Sequence, residues 1–171
     1  MVSLRRNKQG RLAADFLDRQ VEKLKDFVKK HKNEPQPRRP RGNHIRLFSD
    51  CAGLGTEIMA LMLLGLGPFI SIAGGSELDD DKRTLLHCVH ESCGLSVDME
   101  DFSRDAMKRD PEDCKPCDLY VAGFPCPTFS SLGCKHGMLD VAGRGLVIFG
   151  IIKYLACHKP KICILENVKL C

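Results

Sequence analysis

Apolar residues first recur with a helical period near the start of the chain. Leu17, Val21, Leu24 and Val28 fall at i, i+4, i+7 and i+11, Phe16 and Phe27 lie beside them, and Lys and Arg back the stripe. That spacing predicts an amphipathic helix over 11–31, with Lys29, Lys30 and Lys32 suited to the negative end of its dipole. EPQPRRPRGN (34–43) follows, where three prolines and three arginines forbid helix or central strand and read as a linker. Beyond it the pattern changes to short apolar runs alternating with longer helical ones. Runs at 45–48, 69–73, 119–122 and 162–165 read as buried strands, and 58–66, 79–93 and 146–157 read as helices. Residues 98–107 are acidic and loop-like, and 133–145 form a polar, Gly-rich loop. Strands alternating with helices predict an α/β fold: a mainly parallel sheet with helices on both faces.

Composition narrows the class. The chain is 43% hydrophobic, enough for a core, yet no apolar run approaches the ~20 residues of a membrane span. MVSLRRNKQGRL has no apolar segment after its charges, so no secretory signal is expected. The ten cysteines are therefore read as thiols and not as a disulfide framework. The net charge of +4 is unevenly shared: residues 1–43 hold 13 Lys/Arg against 5 Asp/Glu, and residues 44–171 hold 13 against 17. A basic arm on an acidic body points to a polyanion such as nucleic acid, or simply to a solvated helix and linker.

Candidate chemistry sits where an open parallel sheet binds ligands, beyond the carboxyl ends of its strands. Four ends qualify: the turn 49–57 with Gly53 and Gly55, Glu77 after the second strand, Cys126, and Glu166. A Gly-containing turn lets backbone approach a ligand, and an acid after the second strand suits ribose hydroxyls. Cys126, held between Pro125 and Pro127 at a strand end, is placed as a nucleophile; as an isolated thiol it would equally be a small buried residue at a corner.

Several motifs, in one order, resemble the N-terminal half of a cytosine-5 DNA methyltransferase catalytic domain over residues 44–171. LFSDCAGLGTE (47–57) is similar to that family's cofactor loop, GSE (75–77) to its ribose-binding acid, and AGFPCPTFSSLG (122–133) to its catalytic loop. GRGLVIF (143–149) resembles the arginine-glycine segment, and KPKICILENVK (159–169) the strand ending in Glu-Asn-Val. The resemblance implies a Rossmann-like, S-adenosylmethionine-dependent methyltransferase fold that is C-terminally incomplete. It implies Cys126 as the nucleophile adding to carbon 6 of cytosine, and Glu166 acting around N3 and the exocyclic amine, a role that favours a raised carboxyl pKa. Asn167 would fix the loop and Arg144 would support the pocket. The cofactor would lie on Phe48, Ser49, Asp50, Cys51, Gly53, Leu54, Gly55 and Pro125, its methionine part near Phe48, Leu54 and Gly55. Its ribose would sit on Glu77 and its adenine amine on Asp98, with Asp101 the rival. The DNA base would be extruded to reach the site.

Departures from the family pattern matter too. Asp50 and Ala52 stand where the cofactor loop usually carries glycines, and Pro127 stands where glutamine is usual. Asp50 is expected to put a negative charge where backbone normally meets the cofactor. The chain stops just after Glu166-Asn167-Val168, without the family's later motifs and target-recognition region, so a partner chain supplying the C-terminal half is one expectation, and weak or no turnover alone is another. The domains read as a leader (1–33), a linker (34–43) and a partial catalytic domain (44–171). The localisation is nuclear if eukaryotic and otherwise cytoplasmic. Alternatives are a non-catalytic or partner-dependent binding paralogue and a tRNA cytosine-5 methyltransferase. No metal is expected, although Cys88 or Cys93 with Cys114 and Cys117 would offer a zinc-like set.

Overall fold

The computed structural model describes residues 44–125 and 144–167 (Arg144 as backbone only), together with eight exposed helical positions between Asp18 and Lys30. The apolar stripe of the leader, the linker and the 133–143 loop lie outside the described residues. At the end of the helical positions Lys30 Nζ pairs with Glu112 Oε1 at 2.6 Å.

The body is a five-stranded parallel sheet in the order β3-β2-β1-β4-β5. Its strands are β1 (Ile45–Asp50), β2 (Ile70–Ser76), β3 (Phe102–Ser103), β4 (Leu119–Gly123) and β5 (Ile162–Glu166). Among the described residues three helices cover it: α1 (Thr56–Leu63), α2 (Asp80–Ser92) and α3 (Val147–His158). This is a Rossmann-like open α/β sheet, with β1 at the centre and the chain reversing its order of addition between β1 and β4. Period-two alternation sorts β1 between two cores. Leu47 joins Ile58, Ile70, Leu86 and Phe102 on the α1/α2 side, and Phe48 joins Tyr120, Ile151 and Tyr154 under α3.

β2 runs further than its apolar letters suggest, through Gly74, Gly75 and Ser76. The reason is steric. A Cβ on Gly75 would lie 2.1 Å from the Ser49 carbonyl oxygen and 2.6 Å from the Phe102 ring. Backbone cannot yield there, so Gly75→Ala should destabilise the fold by ~3 kcal/mol or more, read as a shifted urea midpoint. β3 lies inside the acidic 98–107 stretch expected to be loop, and pairs with β2 at Gly75↔Phe102 and Ser76↔Ser103. At the opposite edge β5 has no outer neighbour among the described residues, and Ile162 (58%), Ile164 (53%) and Leu165 (45%) are uncovered.

His90, in the last turns of α2, is 1% exposed, lies tilted against the Phe102 ring with centres 5.5 Å apart, and has neither ring nitrogen hydrogen-bonded among the described residues. Burial first, and the neighbouring His87 second, push its pKa from 6.5 down to about 4. Below pH 6.5 the unfolded chain therefore binds a proton that the folded one refuses. Stability should be intact above that pH and fall by up to ~3 kcal/mol as pH drops from 6.5 towards 4. Urea titrations at several pH values check this, and His90→Phe should remove that part of the slope.

Candidate active site

A crevice of about 650 Å³ opens at the carboxyl ends of the strands, within the range of small-molecule sites. Its floor is Cys51 and Gly53 after β1, and its β2 side is Ser76, Glu77 and Leu78. One wall is Arg104 to Met107 after β3, and the far side is Gly123, Phe124, Pro125 and Glu166.

The floor is shaped by an unusual backbone. Cys51 (φ 54), Gly53 (φ 57) and Gly55 (φ 71) all take left-handed conformations, which tightens the turn from β1 into α1. Gly55 is needed for space as well, since a Cβ would meet Leu86 Cδ1 at 2.7 Å. The turn aims the Gly53 N–H at Glu77 Oε2 (2.8 Å), and the Asp79 N–H donates to Oε1 (3.0 Å). Glu77 is 7% exposed and is held by two backbone donors while still bordering the crevice. Cys51 also borders it. Burial, then the charges of Asp50 and Glu77, push its thiol up to about 12, so it stays protonated and is a poor nucleophile.

Across the crevice, β4 and β5 pair Gly123 with Glu166. The Glu166 carboxylate lies back over Gly123, 3.5 Å from where a Cβ would be. Asn167 Nδ2 donates to the Phe124 carbonyl at 3.2 Å, tying the end of β5 to the entry of the proline turn. Pro125 lines the crevice. Cys126 lies outside the described residues, and of Arg144 only the backbone is described, opening the turn into α3.

Several candidates lie elsewhere. Phe48 is 1% exposed in the α3-side core, and Ser49 points to the opposite side, donating to Glu57 Oε1 at 2.6 Å. Burial, opposed by the Ser49 bond, raises the Glu57 pKa. Leu54 turns away to an apolar groove between α1 and α2 that Met59, Leu85 and Cys88 also line. Asp50 does not project a charge into the crevice. It shares the Phe48 face of β1, is 0% exposed, and is held by both terminal guanidinium nitrogens of Arg109, by the Tyr120 hydroxyl and by Ser76 Oγ (2.7 Å). Asp98 is exposed and caps the turn Met99–Asp101 by accepting from the Glu100 N–H (3.0 Å), and Asp101 pairs with Lys115. Neither borders the crevice; Asp105 does. The sequence reading missed Asp105 because it follows a two-residue strand with no apolar run to announce it.

The zinc-like set does not assemble. Cys93 packs with the α1/α2 core, whereas Cys114 and Cys117 pack under α3 on the other side of the sheet. Among the described residues no three metal-ligating side chains cluster, and no disulfide joins two of the described cysteines.

Residues 43–170 match the family model for C-5 cytosine-specific DNA methylase. Among curated proteins the chain is similar to Orphan methyltransferase M.SPRI of Bacillus phage SPR, 32% identical over 126 residues, which is 73% of this chain and 26% of that protein. It is also similar to Type II methyltransferase M.NlaX of Neisseria lactamica, 42% identical over 65 residues, covering 38% of this chain and 20% of that protein. Orphan methyltransferase M.Rho11sI of Bacillus phage rho11s is 30% identical over 125 residues, covering 73% and 23%. The chain thus spans about a quarter or less of the length of these relatives.

Proposed function

Since the chain belongs to the C-5 cytosine-specific DNA methylase family, we propose that it forms the cofactor-binding and nucleophile-bearing part of a DNA (cytosine-5-)-methyltransferase. The observation that carries this reading is the convergence of Glu77, Pro125 and Glu166 on one crevice at the strand order's switch point. The donor set fits S-adenosylmethionine: a buried carboxylate for ribose hydroxyls, an acid (Asp105) for the adenine amine, and Leu78, Phe124 and Met107 for apolar contact. When bound, that cofactor supplies an electrophilic methyl group.

The protein's residues do the rest. The Cys126 thiolate adds to carbon 6 of an extruded cytosine, and the ring's C5–C6 electron pair becomes nucleophilic at carbon 5. Glu166 holds the ring at N3 and the exocyclic amine, drawing off the charge that the addition creates. After methylation, loss of the carbon 5 proton expels the thiolate and restores the ring. Asn167 keeps the start of the nucleophile's loop fixed through the Phe124 carbonyl.

The N-terminal 1–33 serves as a basic leader and 34–43 as its linker, ahead of a partial catalytic domain. The leader's charge suits a DNA backbone. Further polypeptide, in the same chain or in a partner, pairs with the uncovered β5 edge and carries target recognition. Among the described residues no helix is long and apolar enough to cross a membrane. The activity places the protein in the nucleus of a eukaryotic cell, or in the cytoplasm otherwise.

Transfer of label from S-adenosylmethionine to DNA by a protein carrying the additional length of the relatives, with tRNA in parallel, tests the reading. Labelled 5-methylcytosine in DNA supports it, whereas label in tRNA alone or in neither overturns it. Glu77→Gln should weaken S-adenosylhomocysteine binding by ~10–100-fold by calorimetry, the worth of a charged hydrogen bond.

A further inference from the structure

The geometry points to the buried Asp50–Arg109 pair as a positioning device that holds the crevice's wall against its floor. It rests on the proposed cofactor site, but neither Asp50 nor Arg109 lines the crevice itself. The wall is one tight turn. Asp105 Oδ1 accepts from the Met107 N–H at 2.9 Å, and the Asp105 carbonyl accepts from Lys108 (3.0 Å) and Arg109 (3.2 Å). One end of that turn presents Asp105 and Met107 to the crevice. From the other end Arg109 enters the core, its guanidinium 4.9 Å from the Phe48 ring centre and 5.2 Å from that of Tyr154, and its side chain 5% exposed.

There it grips Asp50 with both terminal nitrogens. Burial alone would depress the guanidinium's pKa, but the Asp50 hydrogen bond and charge outweigh it and the net shift is upward. Asp50 is the last residue of β1, immediately before the floor residues Cys51 and Gly53. Its carboxylate also accepts from Tyr120 on β4 and from Ser76, the last residue of β2, whose Oγ in turn accepts the Cys51 N–H at 3.3 Å. One carboxylate therefore links the ends of β1 and β2, the first half of β4 and the wall turn.

A buried ion pair adds little net stability over an apolar replacement of similar size. What the planar fork adds is direction, because two parallel bonds fix the angle as well as the distance of the turn. Asp50 and Arg109 thus act through Cys51, Gly53, Asp105 and Met107, and set the separation of the two sides that receive the cofactor.

The test separates positioning from packing. Arg109→Lys keeps the charge and loses the fork; Asp50→Gly with Arg109→Met removes both charges and leaves neither unpaired. Each variant should fold, yet bind S-adenosylhomocysteine at least tenfold more weakly by calorimetry. In the same samples iodoacetamide should modify Cys51, resolved by peptide mass mapping, several-fold faster than in the parent. Parental affinity and parental Cys51 protection in the double variant would overturn the inference. Should the parent itself bind no S-adenosylhomocysteine, the cofactor reading fails, and unchanged Cys51 protection in both variants would then overturn the positioning role separately.

Discussion

Replacing Cys126 with alanine should reduce methyl transfer by at least ~10⁴-fold while leaving S-adenosylhomocysteine affinity within about twofold. Carbon 5 of cytosine is too electron-poor to take a methyl group without prior addition at carbon 6, so no neighbouring group replaces the thiolate. Cys51, which borders the crevice, cannot substitute. Cys51 is pushed up to about 12, and so is overwhelmingly protonated at neutral pH. The assay belongs in a protein carrying the additional length of the relatives, because this chain spans only 26% of the phage SPR protein. Single-turnover transfer with saturating cofactor isolates the chemical step, and serine at the same position should do little better than alanine.

Glu166→Gln should slow transfer by ~10²–10⁴-fold, the usual worth of a positioned acid or base. Glutamine keeps the volume over Gly123 and the β4–β5 pairing Gly123↔Glu166, so folding and cofactor affinity should change little. It keeps an acceptor and gains a donor but cannot release a proton to the ring. The loss should appear in the single-turnover rate and not in the cofactor Kd. A loss of cofactor affinity with an unchanged rate would move Glu166 from the base to the cofactor side of the crevice.

How far the sequence carries depends on whether a residue's neighbours are local. The central strands were legible because β4 is an apolar run and β1 is broken only by Arg46 before its last two residues. β3 was not, because two residues paired to Gly75 and Ser76 leave no periodic trace. Asp105 was lost with it. Glu77 and Glu166 could be placed at strand ends from their spacing alone, and both border the crevice. Asp50 was misread for a different reason. Its charge suggested a ligand-facing side chain, but strand alternation puts it on the Phe48 side, where its partner Arg109 lies 59 residues away and has no local signature. Leu54 and Gly55 sit within a motif whose backbone shapes the floor while the Leu54 side chain faces the α1/α2 groove.

The most direct measurement of the account is covalent capture. The extended protein would be incubated with S-adenosylmethionine and a duplex containing 5-fluorocytosine, in which the carbon 5 proton needed for release is absent. It would then be digested and mapped by mass spectrometry. The account predicts a methylated fluorocytosine adduct on the peptide that carries Cys126, absent from Cys126→Ala. An adduct on a different cysteine, or DNA methylation with the Cys126 peptide unmodified, would contradict it.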